Sequence, residues 1–196
     1  MTSTVFVIDD DASVRRSLAR LLKSAGHAVE AFASAHEFLA TPPISRAGCI
    51  LVDLRMPGMS GLDLQEALAR TGVNLPIVFI SGDADVPAAA RAFKGGALDF
   101  LTKPFDETAL LAAVRNALER DADQRGIAGL FATLTPRERE VAVLAARGLP
   151  NKQIAFQPGT VEKTVKVHRA RAMNKLGATS IADLVRLVDR ARSTLP

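Results

Sequence analysis

Four runs of consecutive apolar residues, at positions 5–8, 49–52, 77–80 and, less sharply, 98–101, mark the first half of the chain. Each is too short for a helix, and the first three are uninterrupted by polar residues while Asp99 breaks only the last, which predicts buried strands. Between them the apolar positions change period. Val14, Leu18, Leu21 and Leu22 fall at helical spacing within residues 13–25, as do Leu62, Leu64 and Leu68 within 62–70. Residues 27–32 read as a further strand, 87–94 as a helix stopped by Gly95-Gly96, and 108–120 as a last helix. Strands alternating with helices make βαβ units, so an α/β fold is expected: a doubly wound, five-stranded parallel sheet.

Beyond residue 120 the pattern changes. Residues 121–129 have no strong period, and Gly126 and Gly129 are expected to interrupt a helix, which places a linker at 122–130 between a domain at 1–121 and another at 131–196. The second domain reads as four short helices. Thr135-Pro136-Arg137-Glu138 is a capping box with proline at the first helical position. Asn151 is expected to cap a second helix and Thr160 a third, which Gly177 ends; Ser180-Ile181-Ala182-Asp183 opens the fourth.

Charge divides along the same line. The whole chain is +4, but residues 1–120 sum to −2 and residues 121–196 to +6, so the C-terminal part is the one suited to a polyanion. The helix expected at 161–176 carries Lys163, Lys166, Arg169, Arg171 and Lys175, with Val161, Val165, Ala172 and Leu176 on the other side. A charged face alone can simply be solvated; the capped turn before it and the domain's net charge favour a binding face. No apolar stretch is long enough to span a membrane and the N-terminus lacks a signal-peptide pattern, so a soluble cytoplasmic protein with no membrane partner is expected. The single Cys49 opens an apolar run and reads as a core residue, and with three scattered histidines it offers no structural zinc site.

The candidate chemistry lies where the strands end. Asp9 and Asp10 follow the first run, Asp53 the second, Ser81 the third, and Lys103-Pro104 the last. Ligands of open parallel sheets bind outside the carboxyl ends of the strands, so these side chains are expected to share one crevice. Each taken singly could merely end its strand. Together, three carboxylates require a cation; Mg2+ (or Mn2+) suits hard oxygen donors, and a lysine beside it would offset charge on a transferring phosphoryl group. Asp53 would be the nucleophile and an acyl phosphate the product. The chain has neither a G-x-x-x-x-G-K-[ST] nor a G-x-G-x-x-G motif, so phosphate is expected to arrive on a partner.

Ile8-Asp9-Asp10-Asp11, the stretch from Asp53-Leu54-Arg55-Met56-Pro57 to Ser60-Gly61, and Asp99-Phe100-Leu101-Thr102-Lys103-Pro104-Phe105 resemble a response-regulator receiver domain over residues 1 to about 121. The resemblance implies that Asp53 accepts phosphate from a phosphohistidine on a sensor histidine kinase. It also implies that Asp10, Asp53 and the backbone carbonyl of Arg55 hold the metal with Asp9 assisting through water, that Lys103 salt-bridges the phosphate, that the Lys103–Pro104 bond is cis, and that Ser81 and Phe100 form the switch.

From Leu134 onward, Leu-Thr-Pro-Arg-Glu-Arg-Glu, Asn151-Lys152-Gln153-Ile154-Ala155 and Thr164-Val165-Lys166-Val167-His168 are similar to the LuxR/NarL-type helix-turn-helix of the FixJ-like branch. In such motifs the second helix enters the major groove. Lys163, Lys166, Val167 and Ala170 would face bases, while Thr164, Arg169, Arg171, Lys175, Asn151 and Lys152 would hold phosphates; His168 reads as a packing residue. Pro158 and Ala172 stand where larger aliphatics are usual, which predicts an under-packed domain with Phe156 filling part of the gap.

The reading that follows is a response regulator that forms a homodimer on phosphorylation, binds double-stranded promoter DNA and works with RNA polymerase, as an activator. Two alternatives compete. An aspartyl-nucleophile phosphatase would want an acid two residues after the nucleophile, where Arg55 stands; a phosphorelay intermediate would not need the C-terminal helices.

Overall fold

The computed structural model describes residues 3–41, 46–82, 85–156 and 161–191. The chain forms two compact units, Met1–Ala122 and Asp123–Pro196. In the first, β1 (Thr4–Ile8), β2 (Ala28–Phe32), β3 (Gly48–Asp53), β4 (Ile77–Ser81) and β5 (Asp99–Thr102) pair in parallel in the order β2-β1-β3-β4-β5. Successive side chains of a strand point to opposite faces, and here both faces are covered, which is why the runs are apolar without alternation. Phe6, Ile8, Ile50, Val52 and Phe79 pack with α2 (Ala35–Ala40), α3 (Gly61–Thr71) and α4 (Val86–Lys94). Val5, Val7, Cys49, Leu51, Val78 and Ile80 pack with α1 (Ala12–Ser24) and with the first half of α5 (Glu107–Ala132).

Local chemistry fixes where helices begin. Asp11 caps α1, its side chain accepting from the amides of Ser13 and Val14, and Ser60 with Asp63 forms a capping box at α3. The short helix α2, capped by Ser34, leaves too few residues for a visible period and is absent from the sequence expectation. Gly48 is needed for space: a Cβ there would lie 1.9 Å from the Thr4 carbonyl oxygen. Its amide donates instead to the buried carboxylate of Asp121, at 2.8 Å.

That carboxylate lies in a stretch expected to be non-helical, and the expectation is corrected: α5 runs without a break from Glu107 to Ala132. A glycine inside a helix costs only about 1 kcal/mol. Gly126 and Gly129 stand exposed, while Ile127 and Phe131, one helical turn apart, are buried in the core of the second unit. Packing outweighs propensity there.

The second unit holds α6 (Pro136–Ala146), α7 (Asn151–Phe156), α8 (Glu162–Leu176) and α9 (Ile181–Ala191) around Val141, Ala145, Ile154, Val165, Leu176, Leu184 and Val188. The capping boxes at Thr135/Glu138 and Ser180/Asp183 are both formed. Asn151 is not a cap as expected but the first helical residue, since the Pro150 carbonyl accepts from Gln153 and Ile154. Pro158 and Thr160 lie outside the described residues; Val161 stands at the start of α8 with no side-chain cap. Ala172 is fully buried, but Phe156 is 89% exposed and fills no gap in the core.

Candidate functional site: a phosphoacceptor cleft and a basic helix

At the carboxyl edge of the sheet, β1 delivers Asp9, β3 ends on Asp53 and β4 ends on Ser81, all three nearly inaccessible at 2%, 8% and 1% exposure. The register explains their proximity, because Ile8 pairs with Val52 and Asp53 with Ile80. Lys103 directly follows β5 and is joined to Pro104 by a cis bond, and its amide donates to the Ser81 carbonyl at 2.7 Å. Its Nζ lies 2.7 Å from Asp53 Oδ1 and 3.1 Å from Asp9 Oδ2. The other Asp53 oxygen accepts from the Arg55 amide at 2.8 Å, and Asp9 Oδ1 accepts from the Asp11 amide at 2.8 Å.

The electrostatics are those of a charged group held in a poorly hydrated cleft. Burial pushes the Asp9 carboxyl above its ordinary value, against the Asp11 amide and Lys103, which pull it down. Burial also works against the Lys103 charge, yet its hydrogen bonds to Asp53 and Asp9 outweigh it and raise the ammonium. Asp10 is exposed, and among the described residues no three acidic, histidine or cysteine side chains close into a metal cage. Half-buried Phe100 stacks on Phe79 with centroids 6.3 Å apart.

In α8 the residues sort by face. Val165, Ala172 and Leu176 are buried, while Lys163, Lys166, Val167, Ala170 and Arg171 are exposed and Thr164 is half-buried. Lys166 pairs with Glu162 at 3.5 Å, an exposed contact. Asn151 Oδ1 accepts from Arg169 at 3.1 Å, joining α7 to α8, and Lys152 is exposed. Lys175 departs from the phosphate-binding expectation: its Nζ donates to the buried Glu138 carboxylate at 2.6 Å and to the Thr133 carbonyl at 3.1 Å. It holds α8 to the start of α6. His168 is half-buried, and among the described residues its Nδ1 has no hydrogen-bond partner.

Comparison with known proteins fits these two sites. Residues 5–115 match the response regulator receiver domain family, and residues 132–188 match the bacterial regulatory proteins of the luxR family. The chain belongs to the two-component response regulators. Nodulation protein W of Bradyrhizobium diazoefficiens is 48% identical over 190 residues, covering 93% of this response regulator and 84% of that protein. Transcriptional regulatory protein FixJ of Azorhizobium caulinodans is 46% identical over 191 residues, covering 93% and 90%. Among solved structures, response regulator StyR aligns with a TM-score of 0.62 at 48% identity over 97% of this chain and 100% of that one. Full-length FixJ from B. japonicum aligns with a TM-score of 0.59 at 40% identity over 100% of both.

This response regulator therefore joins a receiver domain to a LuxR-type DNA-binding domain, the architecture of a transcriptional regulator and not of a conventional enzyme. A response regulator is expected to meet a sensor kinase and DNA, and receiver domains typically bind Mg2+ at the phosphorylation site. The donors here fit that ion chemically: Mg2+ uses one or two carboxylates and keeps several waters, so a closed three-carboxylate cage is not required. No described helix is long and apolar enough to cross a membrane. Sequence reasoning missed the buried side chains of Gln65 and Asp121, and it read Glu138 only as part of a capping box and not as the partner of Lys175. For Gln65 a signal existed, because it interrupts the apolar stripe of Leu62, Leu64 and Leu68.

Proposed function

We propose that this response regulator takes a phosphoryl group from a kinase phosphohistidine onto Asp53, in the cytoplasm, and then pairs as a homodimer that binds promoter DNA and activates transcription with RNA polymerase. The observation that carries the reading is the Asp53 carboxylate, nearly buried at a strand end and 2.7 Å from Lys103 Nζ. In the transfer an Asp53 oxygen bonds to phosphorus, the P–N bond to histidine breaks, and the imidazole leaves to take up a proton from water. Lys103, now shared between Asp53 and Asp9, would follow the new negative charge to the phosphoryl oxygens, and Ser81 and Phe100 would carry the change outward. Asp9, Asp10, Asp53 and the Arg55 carbonyl are the groups that would hold Mg2+ (or Mn2+), which when bound offsets phosphoryl charge.

The receiver is assigned to residues 1–121 and the DNA-binding domain to 131–196, with 122–130 as the helical connection. In the latter, Lys163, Lys166, Val167 and Ala170 share an exposed face of α8, supporting their assignment to base edges, with Thr164, Arg169, Arg171, Asn151 and Lys152 beside phosphates. Labelling with acetyl phosphate and Mg2+ tests the central claim. Asp53→Asn should abolish the label, whereas a variant labelled at normal stoichiometry would refute it.

A further inference from the structure

Helix α4 is buried most deeply at its carboxyl end; at its start the Asp85 carboxylate accepts from the Ala88 amide, and Ala88 is only half-buried against the core. Of its nine residues only Ala92, in the last turn, is fully buried; Val86 at the start is 74% exposed and Phe93 51%. At that last turn sits Gln65 of α3, itself 5% exposed, whose Nε2 donates to the Ala92 carbonyl at 3.1 Å. The same carbonyl accepts from the Ala97 amide at 2.9 Å. Carbonyls at a helix end lack intrahelical partners, so a buried amide there acts as a side-chain cap supplied by a neighbouring helix. Gly95 makes room for it: a Cβ at that position would come within 2.5 Å of Gln65 Oε1. The nearby Arg91–Glu66 pair spans 3.9 Å with both side chains about two-thirds exposed, a contact that holds little.

Helix α3 is in turn fixed at its own start. A Cβ at Gly61 would lie 2.6 Å from the Asp53 carbonyl oxygen and 2.9 Å from the Phe79 ring, so α3 begins pressed against the phosphoacceptor's backbone. One turn later the same helix grips the end of α4. We propose that Gln65 is a positioning residue, a clasp that immobilises the carboxyl end of α4, so that this helix answers the chemical state of Asp53 by movement of its amino-terminal half. This rests on the phosphorylation reading for the direction of the movement; the clasp itself does not. The physical reason is local stability: a segment with only half-buried residues opens at lower cost than one with a fully buried anchor.

Amide hydrogen exchange on the full chain, with and without beryllofluoride, tests both parts. With all samples dilute enough to stay monomeric, so that pairing of copies does not itself protect amides, beryllofluoride with Mg2+ should change exchange within residues 86–90 of the wild type and leave Gly95, Gly96 and Ala97 unaltered. Gln65→Leu keeps the volume but removes the donor, and should accelerate exchange of those three amides about tenfold even without ligand. Gly95→Ala, which drives the amide out, should act the same way, and the double variant Gln65→Ala/Gly95→Ala should exchange no faster than Gln65→Ala alone because the collision is gone. Acetyl phosphate labelling of Asp53 should stay as in the wild type, since Gln65 does not touch the carboxylate. Unchanged exchange at 95–97 in Gln65→Leu, or additive effects in the double variant, would overturn the clasp. A beryllofluoride response centred on 91–97 in the wild type, or none anywhere, would overturn the hinged movement, and the latter would count against the phosphorylation reading too.

Discussion

Cys49 shows how burial alone sets a residue's chemistry. It is fully inaccessible in β3, and desolvation of the sulfur, reinforced by the negative Asp121, pushes the thiol up to about 12. The thiolate is the reactive species, so the folded protein should resist iodoacetamide at pH 8 and take up one equivalent only after denaturation, as intact mass would record. Alkylation of the native protein at the rate of a free thiol would show that β3 opens locally. Lys103 makes the opposite point. Its burial is offset by two carboxylates, so a charge persists in the cleft that desolvation alone would discourage.

Among the elements, α8 is held by Lys175, while Lys166, proposed above to reach DNA, stands exposed. The Lys175 ammonium, with the Thr135 amide, depresses the Glu138 carboxyl from 4.5 to about 2. A carboxyl lowered in the folded state contributes stability that is full above pH 4.5 and lost as pH falls toward 2. Lys175→Met should therefore lower the melting point of the DNA-binding domain at pH 7 and make almost no difference at pH 2; an equal drop at both would exclude the ion pair as the cause. Lys166 makes only an exposed pair with Glu162, of the kind worth about 0.3–0.5 kcal/mol, and can leave it readily. Lys166→Ala should cost roughly 1–3 kcal/mol on a specific operator and relax sequence preference, read from binding isotherms on matched and altered sites. At α5, Asp121 accepts from the buried Gly48 amide, and Asp121→Ala strands that donor at a cost of about 1–3 kcal/mol, whereas Asp121→Asn keeps an acceptor and should recover most of it in denaturant unfolding.

For the molecule as a whole, the proposed function requires phosphorylation to change how copies associate. Val86, Phe93 and Leu98 are large apolar residues exposed on α4 and just before β5, and we propose this surface as the one that pairs. Moving an equilibrium from 1:99 to 99:1 needs about 5.5 kcal/mol of differential stabilisation, within reach of a new charge on Lys103 combined with an apolar interface. Pairing two weak DNA-binding domains then raises affinity through effective concentration. Phe93→Asp should keep wild-type acetyl phosphate labelling yet fail to dimerise with beryllofluoride in sedimentation velocity; normal dimerisation would move the interface elsewhere.

Local sequence pattern was enough to place five strands, most of the helices and the capping boxes at Thr135/Glu138 and Ser180/Asp183, because each depends on residues at most a few positions apart. The chemistry at the strand ends was legible for a related reason: a parallel sheet brings its carboxyl ends together whatever the intervening helices contain, so Asp9, Asp53, Ser81 and Lys103 had to be neighbours. What tertiary structure decided were matters of long-range partnership. Ile127 and Phe131 carry α5 through two glycines; Glu138 takes Lys175 from the exposed face; Gln65 finds the end of α4; and Phe156 faces solvent where its apolar character suggested a core. None of these follows from local spacing, because a buried hydrogen bond or an anchored side chain is set by which surfaces meet, and that is settled only when the whole unit packs.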